Sequence, residues 1–262
     1  MRFDILTLFP ELIETILSES IIGRARKAGI LDIRTYNIRD YSKDKHRRVD
    51  DTPYGGGRGM LMSPVPIYDC YLAATAKENN PAKRRRVLYM SPQGQVLRQD
   101  KVRTLAAEYD DLVILCGHYE GVDQRILDEI VDEEISMGDF VLTGGEIPAM
   151  ALADCLCRMV PGVLPEESCY TDESHWDGLL EYPQYSRPEE WHGRKVPEVL
   201  LSGHHGKVDD WRKKECYKRT MTRRPDLFAR FDETSLTTKH DRKVLAEAKA
   251  EWAAEQESPA AE

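Results

Sequence analysis

The 262-residue sequence has no C-x-x-C pair, and its six cysteines keep no Cys/His spacing of the kind that seats a structural zinc. Cys70, Cys116, Cys155 and Cys157 stand in apolar, strand-like or helix-like surroundings, and Cys169 and Cys216 are scattered, so buried thiols are expected. No run approaches the ~18 apolar residues that would span a bilayer. The start, "MRFDILTLFPELIE", lacks a basic segment followed by an apolar core. A cytoplasmic protein with no membrane segment is therefore expected. Excess positive charge is also missing. The net charge of −9 argues against a protein that coats nucleic acid indiscriminately.

What is present is the composition of a globular chain, 41% hydrophobic and 32% charged, long enough at ~150 residues per domain for one large or two modest domains. Through the first ~160 residues, apolar runs rich in β-branched residues alternate with segments of helical period, the pattern of a mainly parallel α/β sheet. "RFDILTLF", "ILDIRTYNI", "RRVLYM", "DLVILCG" and "EEISMG" read as strands. "PELIETILSES", with Leu12, Ile13, Ile16 and Leu17 on one face, reads as a helix, as do "IYDCYLAATAKEN", "VRTLAAEY", "DQRILDEIV" and "IPAMALADCLCRMV".

The stretch "SMGDFVLTGGEIPAM", residues 136–150, first suggests a phosphate loop, because glycines let backbone N–H groups approach an anion. It has neither the lysine and hydroxyl of G-x-x-x-x-G-K-[ST] nor a G-x-G-x-x-G fingerprint. Its acids are Asp139 and Glu146, and it holds no Lys or Arg, so the expected guest is neutral or cationic. A plain turn and helix start is the competing reading, with Gly144 and Gly145 at positive φ and Pro148 in the first turn. "VLYM" runs into "SPQG", "VILC" into "GHYEG" and "EEIS" into "MGDFVLTGG". Three glycine-bearing loops at the carboxyl ends of parallel strands predict one pocket, with Glu120, Asp139 and Glu146 as its acids and Met137, Phe140, Val141 and Leu142 as its apolar wall.

After Val160 the texture changes. "PGVLPEESCYTDESHWDG" has no helical period and reads as a linker, longer than a usual connection. Residues 207–230 hold nine Lys/Arg against four Asp/Glu, with a four-residue beat at Trp211, Glu215 and Cys216. "KDKHRR" and "KRRR" add two more basic knots, and an acidic body with basic patches suits a protein that grips one folded polyanion in one pose. A helix from Asp241 to Glu255 and a frayed "SPAAE" end the chain.

"LFPE", "DTPYGGGRGM", "YMSPQG", "CGHYEGVDQR", "GDFVLTGGEIPAM", "PGVL", "DGLLEYPQYSRP" and "LSGHH" occur in that order over nearly the whole chain. Together they resemble the bacterial tRNA (guanine-N1)-methyltransferases, which methylate the guanine immediately 3′ of the anticodon. The resemblance implies an α/β, SPOUT-type knotted methyltransferase domain (parallel sheet, deep trefoil knot) over residues 1–163. It also implies an interdomain linker over 164–178, a small helical tRNA-binding domain over 179–262, and a homodimer with shared active sites. No periodicity could announce the knot, because threaded chains are rare.

The same resemblance makes S-adenosyl-L-methionine the implied cofactor. It assigns to the pocket Tyr89, Met90, Ser91, Pro92, Gly117, Glu120, Met137, Gly138, Asp139, Phe140, Val141, Leu142, Gly144, Gly145 and Pro148. Arg158 falls where the family has its catalytic arginine and Asp177 where it has its catalytic aspartate. Where the family commonly has an aromatic after the serine of "SHWDG", this chain has His175, a second candidate proton carrier beside its reading as a surface histidine. Glu120 is the candidate to position the cofactor or a Mg²⁺ ion. The residues expected to grip tRNA are Arg58, His204, His205, Lys207, Arg212, Lys213, Arg219, Arg223 and Arg224.

Two other readings stand beside this one. A non-catalytic RNA-binding module explains the basic segment but leaves the three-loop pocket idle. A knotted ribose 2′-O-methyltransferase shares the pocket but needs no group to deprotonate a purine, whereas Asp177 on the linker favours methylation of a base.

Overall fold

The strand sequences alternate strictly between two faces, and that alternation builds the first of two compact units, Met1–Glu167. The computed structural model describes residues 1–76 and 84–257. Lys83, the end of the helix expected through "AKEN", and "SPAAE" lie outside the described residues.

In chain order the first unit contains β1 (Arg2–Thr7), α1 (Pro10–Leu17), α2 (Ser20–Lys27), β2 (Asp32–Asn37), β3 (Asp50–Asp51), β4 (Leu61–Met62), α3 (Pro64–Ala76), β5 (Arg85–Val96), α4 (Gln99–Glu108), β6 (Asp111–Cys116), α5 (Gln124–Ile130), β7 (Glu133–Ser136) and α6 (Glu146–Cys157). Five strands form one sheet in the order β2-β1-β6-β5-β7, and every pairing in it is parallel. Phe3, Ile5, Leu88, Met90, Leu112, Ile114 and Cys116 face one way, into a core with α1, α2, α4 and α6. Leu6, Val87, Tyr89, Val113 and Leu115 face the other way, against α3 and α5. A sheet covered on both faces needs apolar side chains at successive positions, which is why these strands read as continuous apolar runs.

Three local departures from the sequence reading have physical causes. Ser20 sits at φ 53°, so the helix expected over 10–20 breaks into α1 and α2. Of the four residues expected on one face of α1, Ile13 and Leu17 are buried while Leu12 and Ile16 are 44% and 50% exposed, because the apolar stripe is wider than the surface that covers it. β5 runs on through "SPQG" instead of ending at Met90, its register against β7 shifting between Met90 and Gln95. Gly94 lies in that bulge, where an added Cβ would meet the Glu134 carbonyl carbon at 2.4 Å.

The second unit, Ser168–Glu262, contains α7 (Ser168–Thr171), a short antiparallel ribbon of β8 (Glu190–Trp191) and β9 (Arg194–Lys195), then α8 (Glu198–Leu201), α9 (His205–Arg223), α10 (Pro225–Phe228) and α11 (Lys239–Glu257). Its core is Leu179, Tyr217, Met221, Val244, Leu245 and Ala248, so α9 and α11 pack face to face around the chain that leads in from Asp177. Lys213 pairs with Asp241 at 2.7 Å, and Lys214 pairs with Glu247 and Glu251 at 2.7 and 2.8 Å.

Candidate active site

Parallel pairing puts the carboxyl ends of β5, β6 and β7 at one edge of the sheet, and the chain there encloses a cavity of about 250 Å³. Residues 89–93 line it from β5, 117–122 after β6, and 134–137 with 140–145 at and after β7. Leu61, Gln124, Leu127 and Pro148 complete the wall.

Glycine is required where these segments crowd. A Cβ on Gly117 would stand 2.7 Å from the Tyr89 hydroxyl, and one on Gly145 would stand 2.8 Å from Cys116 Cα and 2.9 Å from Gly117 N. Close approach, and not the positive φ expected of both, is what Gly144 and Gly145 answer to: neither has a positive φ, and that of Gly145 is −82°. The main chains are tied at the same place, Gly145 N–H donating to Gly117 O at 2.8 Å, with a further bridge between His118 and Gly144. Burial, and secondarily Glu134, push the Tyr89 phenol up to about 12, so at neutral pH it stays a protonated donor.

Thirteen of the fifteen residues assigned to the pocket from sequence line this cavity. Gly138 and Asp139 do not. They form the apex of a turn in which Ser136 Oγ accepts from Gly138 N–H and Phe140 N–H donates to Gly138 O, and Asp139 is exposed. Glu146, expected among the pocket acids, is buried and accepts from the Thr7 hydroxyl at 2.8 Å instead. His118 lines the cavity unforeseen; its Nδ1 is buried without a hydrogen bond among the described residues, 4.0 Å from Glu146 Oε2. Glu134 also lines it unforeseen, though alternation along β7 sets it on the face opposite Ile135. Among the described residues no Lys or Arg lines the cavity, and its carboxylates are Glu120 and Glu134.

Among the described residues no three His, Cys, Asp or Glu gather to hold a metal ion. Glu120 is exposed, and with Glu134 it supplies the carboxylates of the lining among the described residues.

Arg158 caps the carboxyl end of α6 in the first unit, half-buried, where the helix dipole favours a cation. Asp177 belongs to the second unit. Its Oδ1 accepts from Leu179 N–H at 3.1 Å, and His175 N–H donates to Leu179 O at 2.7 Å, closing a tight loop. Leu180 N–H then donates to Thr220 Oγ1 on α9 at 2.9 Å. The exposed carboxylate is thus carried on a turn anchored at both Leu179 and Thr220. His175 is exposed at φ 74°.

Arg58 is exposed on the loop between β3 and β4. The other basic candidates run along α9 from its amino-terminal cap His204 to its carboxyl-terminal cap Arg224. Arg224 forms a two-pronged pair with Asp226, both contacts at 2.8 Å, and Arg212 lies 4.9 Å over the Tyr182 ring. Arg219 and Arg223 have no ion-pair partner among the described residues. No described helix is long and apolar enough to cross a membrane.

A sequence profile of the family described as tRNA (Guanine-1)-methyltransferase TrmD matches residues 1–230. The chain is 55% identical over 237 residues to the tRNA (guanine-N(1)-)-methyltransferase of Ruminiclostridium cellulolyticum, covering 90% of this chain and all of that one. It is 50% identical to the enzyme so named in Clostridioides difficile, over 89% of this chain and all of the relative. It is also 50% identical to that of Clostridium acetobutylicum, over 94% and 96%.

Proposed function

The chain belongs to the tRNA (guanine-N1)-methyltransferase family, and on that premise we propose that it transfers a methyl group from S-adenosylmethionine to N1 of the guanine immediately 3′ of the anticodon. The observation that carries the donor assignment is the cavity itself: glycine-pinched main chain, apolar Met137, Phe140, Val141 and Leu142, two carboxylates and, among the described residues, no Lys or Arg. Such walls suit an uncharged adenosine beside a cation and offer a triphosphate nothing. When bound, S-adenosylmethionine supplies an electrophilic methyl group. Backbone groups of Gly117, Met137 and residues 140–142 would hold the adenine, Tyr89 would donate from its protonated phenol, and Glu120 would face the positive charge.

Guanine N1 carries a proton and is a poor nucleophile at neutral pH, so its proton must leave as the methyl carbon is attacked. Asp177 is the assigned base, a carboxylate able to accept N1–H. The negative charge that spreads onto O6 is assigned to the guanidinium of Arg158, always cationic and fork-shaped. No step is routed through Mg²⁺.

We assign the first unit to the SPOUT class with a deep trefoil knot. In support, Gly145 lies against the Cys116–Gly117 backbone too closely for any side chain. A homodimer with shared sites is supported by apolar side chains left uncovered on α1, on α6 and in the pocket loop: Leu12, Ile16, Ile147 and Val141, the last 80% exposed. The tRNA would be gripped by Arg58 and the basic side of α9, in the cytoplasm where tRNA is. Methyl transfer from labelled S-adenosylmethionine to tRNA, followed by nucleoside analysis, should yield 1-methylguanosine; 2′-O-methylguanosine as the only product would overturn the base-methylation assignment.

A further inference from the structure

Beside Arg58, residues 52–60 between β3 and β4 carry Tyr54, an aromatic side chain with no role so far. Tyr54 is 98% exposed, so its ring is buried against nothing among the described residues. Gly55, Gly56, Gly57 and Gly59 hold φ of 83°, 81°, 148° and 76°, a backbone that residues with a Cβ adopt only under strain. Tyr54 and Arg58 therefore project from a nearly bare main chain.

The root of this loop is fixed to the cavity wall. Asp50 pairs with Met62 and Asp51 with Leu61. Glu120 N–H donates to Met60 O at 3.0 Å, and Met62 N–H donates to Gly121 O at 2.9 Å. The Glu120 side chain lies over Gly59, where an added Cβ would be 2.4 Å from Cγ, and Leu61 itself lines the cavity. An unburied aromatic ring and an exposed cation are thus tethered at the mouth of the pocket.

We propose that Tyr54 is a stacking platform for RNA, its ring lying on a nucleobase next to the guanine that is methylated, with Arg58 on the adjoining phosphate. This rests on the transfer of a methyl group to a tRNA guanine. A base inside a stacked loop is out of reach of the pocket, so the guanine must leave its neighbours, and a neighbour then loses a stacking partner. An exposed phenol at the pocket mouth replaces that partner, and because every base has a π-face it does so for any neighbouring base. A protein partner fits the loop poorly, since one ring among glycines offers far less area than a stable protein interface requires.

The test uses an anticodon stem-loop with 2-aminopurine beside the target guanine, and full-length wild type, Tyr54→Phe and Tyr54→Ala. Wild type and Tyr54→Phe should quench the fluorescence. Tyr54→Ala should fail to quench and should bind the RNA roughly 5- to 150-fold more weakly, the span of one lost base stack. Its thermal midpoint and its S-adenosylmethionine affinity by calorimetry should match wild type. Quenching and RNA affinity unchanged in Tyr54→Ala would overturn the stacking role while leaving the methyl-transfer reading intact. A wild type that leaves guanine N1 unmethylated would overturn both.

Discussion

At the residue scale, the one carboxylate of Asp177 makes a structural contact and is also the proposed base. Oδ1 is engaged by Leu179 N–H, which fixes the side chain without occupying all the lone pairs of an ionised carboxylate. Asn in its place keeps that capping oxygen and removes the base. Asp177→Asn is expected to bind cofactor and tRNA as wild type does and to lose ~10²-fold or more in single-turnover rate. A near-normal rate would move the base elsewhere, with His175 the next residue to change. A pH effect follows from Tyr217, whose phenol is pushed from 10.0 to about 12, first by burial and then by Asp241 and Asp177. The folded state holds this proton more tightly than the unfolded chain does, so the contribution is complete below about pH 10 and is lost as pH rises toward about 12. Chemical unfolding across that interval should show stability falling, and Tyr217→Phe should flatten the fall; an unchanged slope would mean that the phenol titrates alike in both states.

At the scale of the element, α9 divides its charge between two sides. At 100° per residue, Arg212, Arg219 and Arg223 fall on one stripe, well away from Tyr217 and Met221, which enter the core. Lys213 and Lys214 serve α11 through their ion pairs, so basic composition alone overstates what is available to RNA. Arg219→Glu with Arg223→Glu should lower tRNA affinity and flatten its dependence on log[salt] by roughly 0.7–0.9 for each phosphate no longer neutralised, with the thermal midpoint little changed. Unaltered affinity would remove this stripe from the RNA face. The same element shows what the sequence could convey. Its helical beat was legible because it is local, and so were the strands, whose continuous apolar runs are the pattern of a sheet covered on both sides. Illegible were features set by distant segments: the bulge at Gly94 answers to Glu134, and the placement of Glu146 answers to Thr7 on β1. The glycine-rich loop after β7 reads as pocket throughout, but its apex, Gly138 and Asp139, turns away because Ser136 and Phe140 close it.

On the scale of the whole molecule, the uncovered apolar residues of α1 test the proposed assembly. Wild type should sediment as a dimer, and Leu12→Asp with Ile16→Asp should sediment as a monomer that has lost methyl transfer, because neither residue is needed for the core of its own chain. A fully active monomer would count against shared sites. The sheet order β2-β1-β6-β5-β7 has a further consequence, for biosynthesis. β1 is the first strand made and is buried along its whole length, yet its neighbour β6 begins at Asp111. At ~5–20 residues per second, a ribosome needs roughly 5–20 s to supply the intervening ~100 residues. Through that interval one hydrogen-bonding edge of β1 has no native partner in the nascent chain. A ribosome stalled before Cys116 would therefore display an apolar strand edge, and chaperones that hold such edges should be found on nascent chains of that length and released once β6 has emerged.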